Sequence, residues 1–516
     1  MWTWGLVLVV ALASAFDTGH HFDLTRDALI NLGWGEDNAI AAVQLTGWFV
    51  DFRSNDPLFE DKEELELMHF DNLLDVATVR SYWQRLATNL KAAVMSERNP
   101  EKVLTYLGMS LHAVQDFYSH SNWAESFGGM PNITTFWHTP TSFLQDANIR
   151  TGYYGDHGFD LTGQVPHGRY DCGMNKDSYA AIRWLASVHA AYFATVDWVE
   201  QTRHWVNNDT FWETSVMQYD KHPDLLEWGR VRAILVSLWT EVPILAEHNG
   251  HWKGPGSGSP FEFAEELRVL KFGGGSYGDA FRSLPFVQFL RDGMAEDLTD
   301  DLPRGREADG VVGFDAVVQA PTRSAVALEV HVLSLQTSTT RDYFTEVTVD
   351  GVTYRDATQM DTKVPHVYWT TVRFFKTMPS TVVLRICLFD EDGKSETFPY
   401  DVVKKLVMAL DVTYDRTTRA LSGDVTGVHN TRDTAAVVTA GNVEFSFFVT
   451  HVPLTSGVQA PNPSATTTWA TCSDTTGWAP WVFVLIGMAS ALALIGLVLV
   501  ALRLYFRKKT TPTVIQ

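Results

Sequence analysis

Cysteine is nearly absent: only Cys172, Cys387 and Cys472 occur in 516 residues. A disulfide scaffold is thereby excluded, since at most one bridge forms and one thiol is left over. Positive charge is also scarce, with 40 Lys and Arg against 61 Asp and Glu and a formal net charge of -21. A surface of that sign repels a phosphate backbone, so nucleic acid is not an expected partner. Internal repeats are missing. Lys and Arg are missing from residues 1–15, yet that segment is an apolar run closing on Ala13-Ser14-Ala15. Small-x-small after an apolar run is the pattern of a secretory signal peptide, which makes Phe16 the expected mature N-terminus. Charge of either sign is missing from residues 481–502. Such a stretch is long enough to cross about 30 Å of hydrocarbon. Trp478 and Trp481 stand at one edge and Arg503, Arg507, Lys508 and Lys509 beyond the other. Aromatics on one side and basic residues on the other predict a single-pass type I membrane protein at a cell surface or envelope, with residues 503–516 in the cytosol.

What is present agrees with an exported chain. Asn132-Ile133-Thr134 and Asn208-Asp209-Thr210 are N-glycan acceptor sequons. Cys472 falls in a Ser/Thr/Pro-rich stalk, 453–480, where an intermolecular disulfide and dimerisation are feasible and a silent thiol is equally so.

Residues 16–295 carry helical patterns. Asn99-Pro100 is a cap residue followed by proline at the first helical position, and Leu104, Leu107, Leu111, Val114 and Phe117 follow at helical spacing. A second helix is expected from about Lys176 to Trp205. The segment from Lys253 to Pro260 and the run from Gly273 to Ser276 read as loops, and the acidic stretch 296–312 as a linker. Beyond it the period changes. Val326, Leu328, Val330 and Val332 alternate with small or polar residues, and Asp350-Gly351 is a hairpin turn between two short strands. Further strands are expected over 382–389 and 443–449. The fold class expected is therefore multidomain: an all-α domain over 16–295, an all-β sandwich over 313–452, then one transmembrane helix.

The chemistry concentrates in one helix. Residues four apart in a helix are offset by only about 40°, so His112, Asp116 and His120 share a face, with Gly108 a turn earlier permitting close packing. Imidazole and carboxylate on one helical face are what a zinc site needs. His21, Asp51, His69 and His189 are further candidates; taken singly, each is more simply a hydrogen-bonded core residue.

Their order along the chain resembles the zinc-dependent phospholipase C and single-strand nuclease superfamily. The details are most similar to its heterokaryon-incompatibility Het-C branch and that branch's animal relatives with a von Willebrand A domain. The matching pieces are His21-x-x-Leu24-Thr25, Trp48-x-x-Asp51-Phe52, His69-Phe70-Asp71, His112-x-x-Gln115-Asp116-Phe117-Tyr118-x-His120-Ser121-Asn122-Trp123, Thr151-Gly152-Tyr153-Tyr154, His167-Gly168, Asn175-Lys176-Asp177-Ser178 and His189-Ala190-Ala191. The resemblance implies a helical domain with up to three zinc ions. Asp51, His69, His112 and Asp116 would hold one; Asp116 would bridge to a second held by His21 and the Phe16 amine and carbonyl; His120 and His189 would hold the third. Asp51 and Asp116 would be the catalytic carboxylates. Phe193 stands where an acid four residues after His189 is required, so Asp177 or His167 is a candidate to complete the third site, and His20 competes with His21.

The β-region resembles a C2-like domain through Thr340-Arg341-Asp342, Val349-Asp350-Gly351 and Leu384 to Gly393. That likeness implies calcium at Asp342, Asp390 and Asp392 and phospholipid contact; an exposed acidic turn is the simpler alternative. The leading expectation is a membrane-anchored zinc phosphodiesterase acting on phospholipid head groups, with hydroxide attack on phosphorus. The rival is a non-catalytic surface or envelope glycoprotein, for adhesion or fusion, on the same scaffold.

Overall fold

The computed structural model describes residues 18–35, 38–40, 42–44, 47, 69–129, 131–153, 165–167, 173–177, 181–219, 322–337, 341–355, 359–362, 369–391 and 404–463. The chain divides into two compact units, Met1–Ala470 and Thr471–Gln516, and every described residue belongs to the first. The expected signal segment 1–15, Phe16, Asp51, Cys172, the linker 296–312, Asp392, Cys472 and the stretch 481–516 lie outside the described residues.

The helical half contains α1 (Thr18–Asn31), α2 (Val76–Met95), α3 (Pro100–His120), α4 (Trp123–Phe127), α5 (Thr141–Asp146) and α6 (Trp184–Val206). Proline opens α3 where the spacing predicts it. Asp75 caps α2, accepting from the Thr78 backbone N–H at 2.8 Å, with the Thr78 hydroxyl closing a capping box. The apolar faces of α2, α3 and α6 meet in an aromatic centre built from Phe70, Trp83, Phe117, Phe136 and Trp198. The Gly108 carbonyl lies 3.1 Å from where a side chain on Gly47 would begin, so the close approach of those two segments rests on Gly47.

The strands are β1 (Ser324–Thr337), β2 (Arg341–Val349), β3 (Val352–Arg355), β4 (Gln359–Thr362), β5 (Trp369–Phe375), β6 (Thr381–Glu391), β7 (Lys404–Asp415), β8 (Leu421–Gly423), β9 (Ala436–Ala440) and β10 (Val443–Thr455). They form two antiparallel sheets, ordered β5-β1-β10-β9 and β3-β2-β6-β7-β8, with β4 on β2. The β2–β3 turn is Asp350-Gly351, both at positive φ, as a tight hairpin needs. Leu328, Val330 and Val332 pack into the core between the sheets, while Ala325 and Ala327 join the helical core. The four-stranded sheet is thus covered on both faces, and β5 is buried throughout.

Polar groups seal the helices to that sheet. Asp27 on α1 pairs with the Arg373 guanidinium, accepts from the Tyr354 hydroxyl at 2.9 Å and from the Phe374 N–H at 2.9 Å. Asn31 donates to the Phe374 carbonyl and accepts from the Lys376 N–H, and Tyr192 stacks on Phe374 at 4.0 Å.

Two expectations are corrected here. The fold class is helices in the N-terminal half followed by antiparallel sheets in the C-terminal half, and among the described residues no helix is long and apolar enough to cross a membrane. The single-pass type I membrane assignment is overturned on the same finding. The two longest helices show the physical reason. α3 carries His112, Asp116 and His120, and α6 carries Asp197, Glu200 and Arg203, charges that hydrocarbon excludes. Their apolar faces are used against each other and the sheet.

Candidate metal centre

The helical register places His112 and Asp116 one turn apart on the buried face of α3, and His112 Nε2 lies 2.9 Å from Asp116 Oδ2. His21 comes from α1, its Nε2 3.0 Å from Asp116 Oδ1. His69 comes from the turn before α2, its Nδ1 2.9 Å from Asp116 Oδ2 and 3.2 Å from His112 Nε2. Asp116 is fully buried with an imidazole from each of three chain segments around it. Sequence reading leaves His20 and His21 in competition; the structure turns His20 onto Trp184 and brings His21 to Asp116.

The tautomer of His21 is fixed by its neighbours. The Thr195 hydroxyl donates to the Ala191 carbonyl at 2.8 Å, so it can only accept from Gln115 Nε2, 3.0 Å away. Gln115 Nε2 also reaches Thr25 Oγ1 at 3.0 Å. That orients Gln115 Oε1 to accept from His21 Nδ1 at 2.6 Å. His21 Nε2 is then aimed at Asp116, 3.0 Å from its Oδ1. The imidazolium donates a hydrogen bond across that gap, and the neutral ring offers a lone pair that shares a cation with the carboxylate. Ligand atoms bound at about 2.0–2.1 Å to a tetrahedral zinc lie roughly 3.3–3.4 Å apart, so the donors around Asp116, at 2.9–3.2 Å, would part by a few tenths of an ångström to admit the ion. The donor set fits a zinc-class ion, and among the described residues His21, His112 and Asp116 form one of two buried groups able to hold a metal.

Electrostatics agree. Burial alone would raise the Asp116 carboxyl, but His112 and His21 beside it hold it well below the usual carboxylate range. Burial pushes the His112 imidazole down to about 3 against the pull of Asp116, keeping it the neutral ligand that metals require.

A second group lies at the other end of the same turn. Phe70 and Asn72 both adopt left-handed backbone, φ 56° and 64°. For a bulky residue such as Phe70 this is a strained conformation, anchored by the ring's burial against Tyr82, Trp83 and Phe117. The kink sends His69 to Asp116 and Asp71 toward His120, whose Nδ1 is 3.4 Å from Asp71 Oδ1. His120 Nε2 lies 3.0 Å from Asp177 Oδ1, and the His120 and His167 rings meet edge to face at 4.2 Å. Asp71, His120 and His167 are the second buried group with metal-ligand spacing. Burial opposes the charged form of His120, yet Asp71 and Asp177 hold its imidazole well above its ordinary range.

His189 joins neither group. Its Nε2 is 3.2 Å from Glu329 Oε1 on β1, with His331 Nε2 2.9 Å from the other Glu329 oxygen. Asp390 is buried on β6 opposite Lys405 of β7, and the Asp342 side chain is outside the described residues along with Asp392. Cys387 is a free, buried thiol whose pKa burial pushes up. Asn132 packs against Gly457, and the Asn208 side chain accepts from the Phe211 N–H as a helix cap. Sequence reasoning passed over three residues: Gln115 and Asp71, present in the quoted motifs but given no role, and Glu329, hidden in a strand that alternates normally.

A family model described as the VWA7 N-terminal domain matches residues 38–151, which include His69, Asp71, His112, Asp116 and His120. It agrees with the von Willebrand A branch of the resemblance and is not a phospholipase C family. Von Willebrand factor A domain-containing protein 7 of Mus musculus and of Homo sapiens are each 30% identical over 127 residues, covering 18% of this chain. The match spans only 14% of those relatives' length. Among solved structures, human GIVD cytosolic phospholipase A2 in complex with methyl gamma-linolenyl fluorophosphonate is 16% identical with a TM-score of 0.17, covering 27% of this chain and 18% of that one. Clostridium perfringens alpha-toxin is 11% identical with a TM-score of 0.13, covering 86% of this chain and 100% of that one. Both are weak likenesses to lipolytic enzymes, and at those scores neither carries an argument.

Proposed function

We propose that this protein is a zinc-dependent phosphodiesterase of the phospholipase C kind. One observation carries the reading: a fully buried carboxylate, Asp116, surrounded at 2.9–3.0 Å by the imidazoles of His21, His69 and His112. When bound there, zinc lowers the pKa of a water and draws charge from a phosphoryl oxygen. The chain's own residues set the conditions for that chemistry. Gln115 keeps the His21 hydrogen on Nδ1, so Nε2 is available for the metal. The strained turn at Phe70 fixes His69 against the helix α3 pair. Asp116, ionised in an interior that excludes water, supplies the negative charge that offsets a divalent ion.

The burial of all four donors favours a second reading, in which the same cation has only a scaffolding role in a non-catalytic protein. The full chain, purified without chelator and assayed on a chromogenic phosphodiester and on phosphatidylcholine, separates the two. The enzyme reading expects hydrolysis that is abolished by chelation, restored by zinc and lost in Asp116→Asn. A zinc-loaded, folded chain that hydrolyses neither substrate leaves the scaffolding reading standing.

A further inference from the structure

Helix α1 makes its contacts through two faces. Residues four apart in a helix point the same way to within about 40°, so His21 and Thr25 share one face, and Asp27 and Asn31 share another. The first face meets α3. His21 stands at Asp116, and Thr25 Oγ1 lies 3.0 Å from Gln115 Nε2, on the amide whose oxygen accepts from His21. The second face meets the β half, and the six residues from His21 to Asp27 span a rise of about 9 Å.

Among the described residues, β5 is the outermost strand of its sheet and pairs with β1 alone. Such an edge carries backbone groups that no neighbouring strand meets. In an antiparallel pair the N–H and C=O of one residue point together, either toward the partner strand or away from it. Phe374 directs both away from β1: its N–H donates to Asp27 Oδ2 at 2.9 Å, and its carbonyl accepts from Asn31 Nδ2 at 2.9 Å. Lys376, two residues on, donates its N–H to Asn31 Oδ1 at 3.1 Å. Side chains of α1 therefore stand in for a missing strand. Four residues of helix rise about 6 Å and two of strand about 6.6 Å, and that near match lets Asp27 and Asn31 follow the edge in register. Charge fastens the contact. The Asp27 carboxylate pairs with Arg373 and accepts from the Tyr354 hydroxyl, while the Arg26 guanidinium lies 4.5 Å from the Tyr354 ring centre.

We propose that Asp27 and Asn31 are positioning residues for the metal, so that the seating of α1 on β5 and the zinc affinity of the Asp116 centre form one linked equilibrium. This inference rests on the metal-binding part of the proposed function. Metal–ligand distances hold to within about 0.2 Å, so a shift of α1 by a few tenths of an ångström is enough to withdraw His21 from the ion. The other donors, His69, His112 and Asp116, come from other segments and stay behind. The linkage is reciprocal: what the β half does for zinc, zinc must do for the seating of α1 on β5.

The full chain is titrated with Zn²⁺ against a chromophoric chelator as wild type, Asp27→Asn, His21→Gln and the double variant. Asp27→Asn is expected to weaken zinc binding at least about 5-fold in the otherwise wild-type chain, and less than about 2-fold when His21→Gln is already present. An equal loss in both backgrounds is the additivity of independent sites and overturns the proposal, as does no loss in either. Hydrogen exchange of the wild-type chain reads the linkage from its other end: zinc slows the Phe374 and Lys376 amides by more than those of β7. Equal slowing, or none, overturns the proposal, and this arm decides alone where a variant does not fold or binds zinc too weakly to titrate. A wild-type chain that binds no zinc strikes the proposed function and this inference together. Wild-type binding without the coupling strikes this inference alone.

Discussion

Asp27→Ala should cost about 3–5 kcal/mol of unfolding free energy, the usual consequence of removing one partner from a buried ion pair. Asp27 is fully buried on α1, and its carboxylate is shared by the Arg373 guanidinium, the Tyr354 hydroxyl and the Phe374 backbone N–H, with Arg26 Nε at 3.7 Å. Alanine strands the Arg373 charge, itself buried, at the seam between helix and sheet. The cost is therefore dominated by what is left behind and not by the lost contacts. Arg373→Met in the same chain should recover most of it, because the pair is then replaced by apolar volume. Urea unfolding followed by far-ultraviolet circular dichroism measures both variants and the double mutant. A loss under about 1 kcal/mol in Asp27→Ala, or a double mutant as damaged as the two single losses summed, would refute the argument that this charge pair locks the helices to β5.

Two further outcomes follow from the same geometry. Gln115→Leu should weaken zinc binding roughly 10–100-fold by freeing the His21 tautomer, whereas Gln115→Glu, which keeps an acceptor toward Nδ1, should weaken it less; competition titration with a chromophoric chelator reads both. Burial would raise Glu329, but His189 and His331 bring it down to about 2. Its folded pKa is thus below the unfolded value of roughly 4.3, so its contribution is fully present above that pH and is lost as pH falls through about 2. The shift corresponds to about 3 kcal/mol in all, of which roughly 1.7 kcal/mol is lost between pH 6 and pH 3, and Glu329→Gln should lack that part of the acid dependence when unfolding free energies at those two pH values are compared.

The parts of this structure governed by local chemistry were legible in the sequence. Asn99-Pro100 marks the start of α3, the four-residue spacing puts His112 and Asp116 on one face, and Asp350-Gly351 gives the β2–β3 turn. The parts governed by distant contacts were not. The segment from Lys176 to Arg183 reads as helix, yet Lys176 and Asp177 are buried before α6 begins, with the Lys176 ammonium donating to the Ser121 and Met174 carbonyls and Asp177 held to His120. Period alone cannot separate a helical turn from a loop that caps another helix. In β1, Glu329 alternates with Leu328 and Val330 as a solvent-facing residue does, but helix α6, remote in sequence, covers that face and supplies His189. Asp71 follows His69 by two positions, and only the left-handed kink at Phe70 shows that the two serve different clusters. The localisation was drawn from composition, in the apolar segment 1–15 and the chargeless stretch 481–502 with its flanks, and among the described residues no helix is long and apolar enough to cross a membrane.

X-ray absorption at the zinc edge of the purified full chain tests the main claim most directly. The account predicts bound zinc with a first shell of nitrogen and oxygen at about 2.0–2.1 Å and an imidazole outer-shell pattern that weakens in Asp116→Asn. A chain that retains no zinc, or zinc in a sulfur shell at about 2.3 Å, contradicts it.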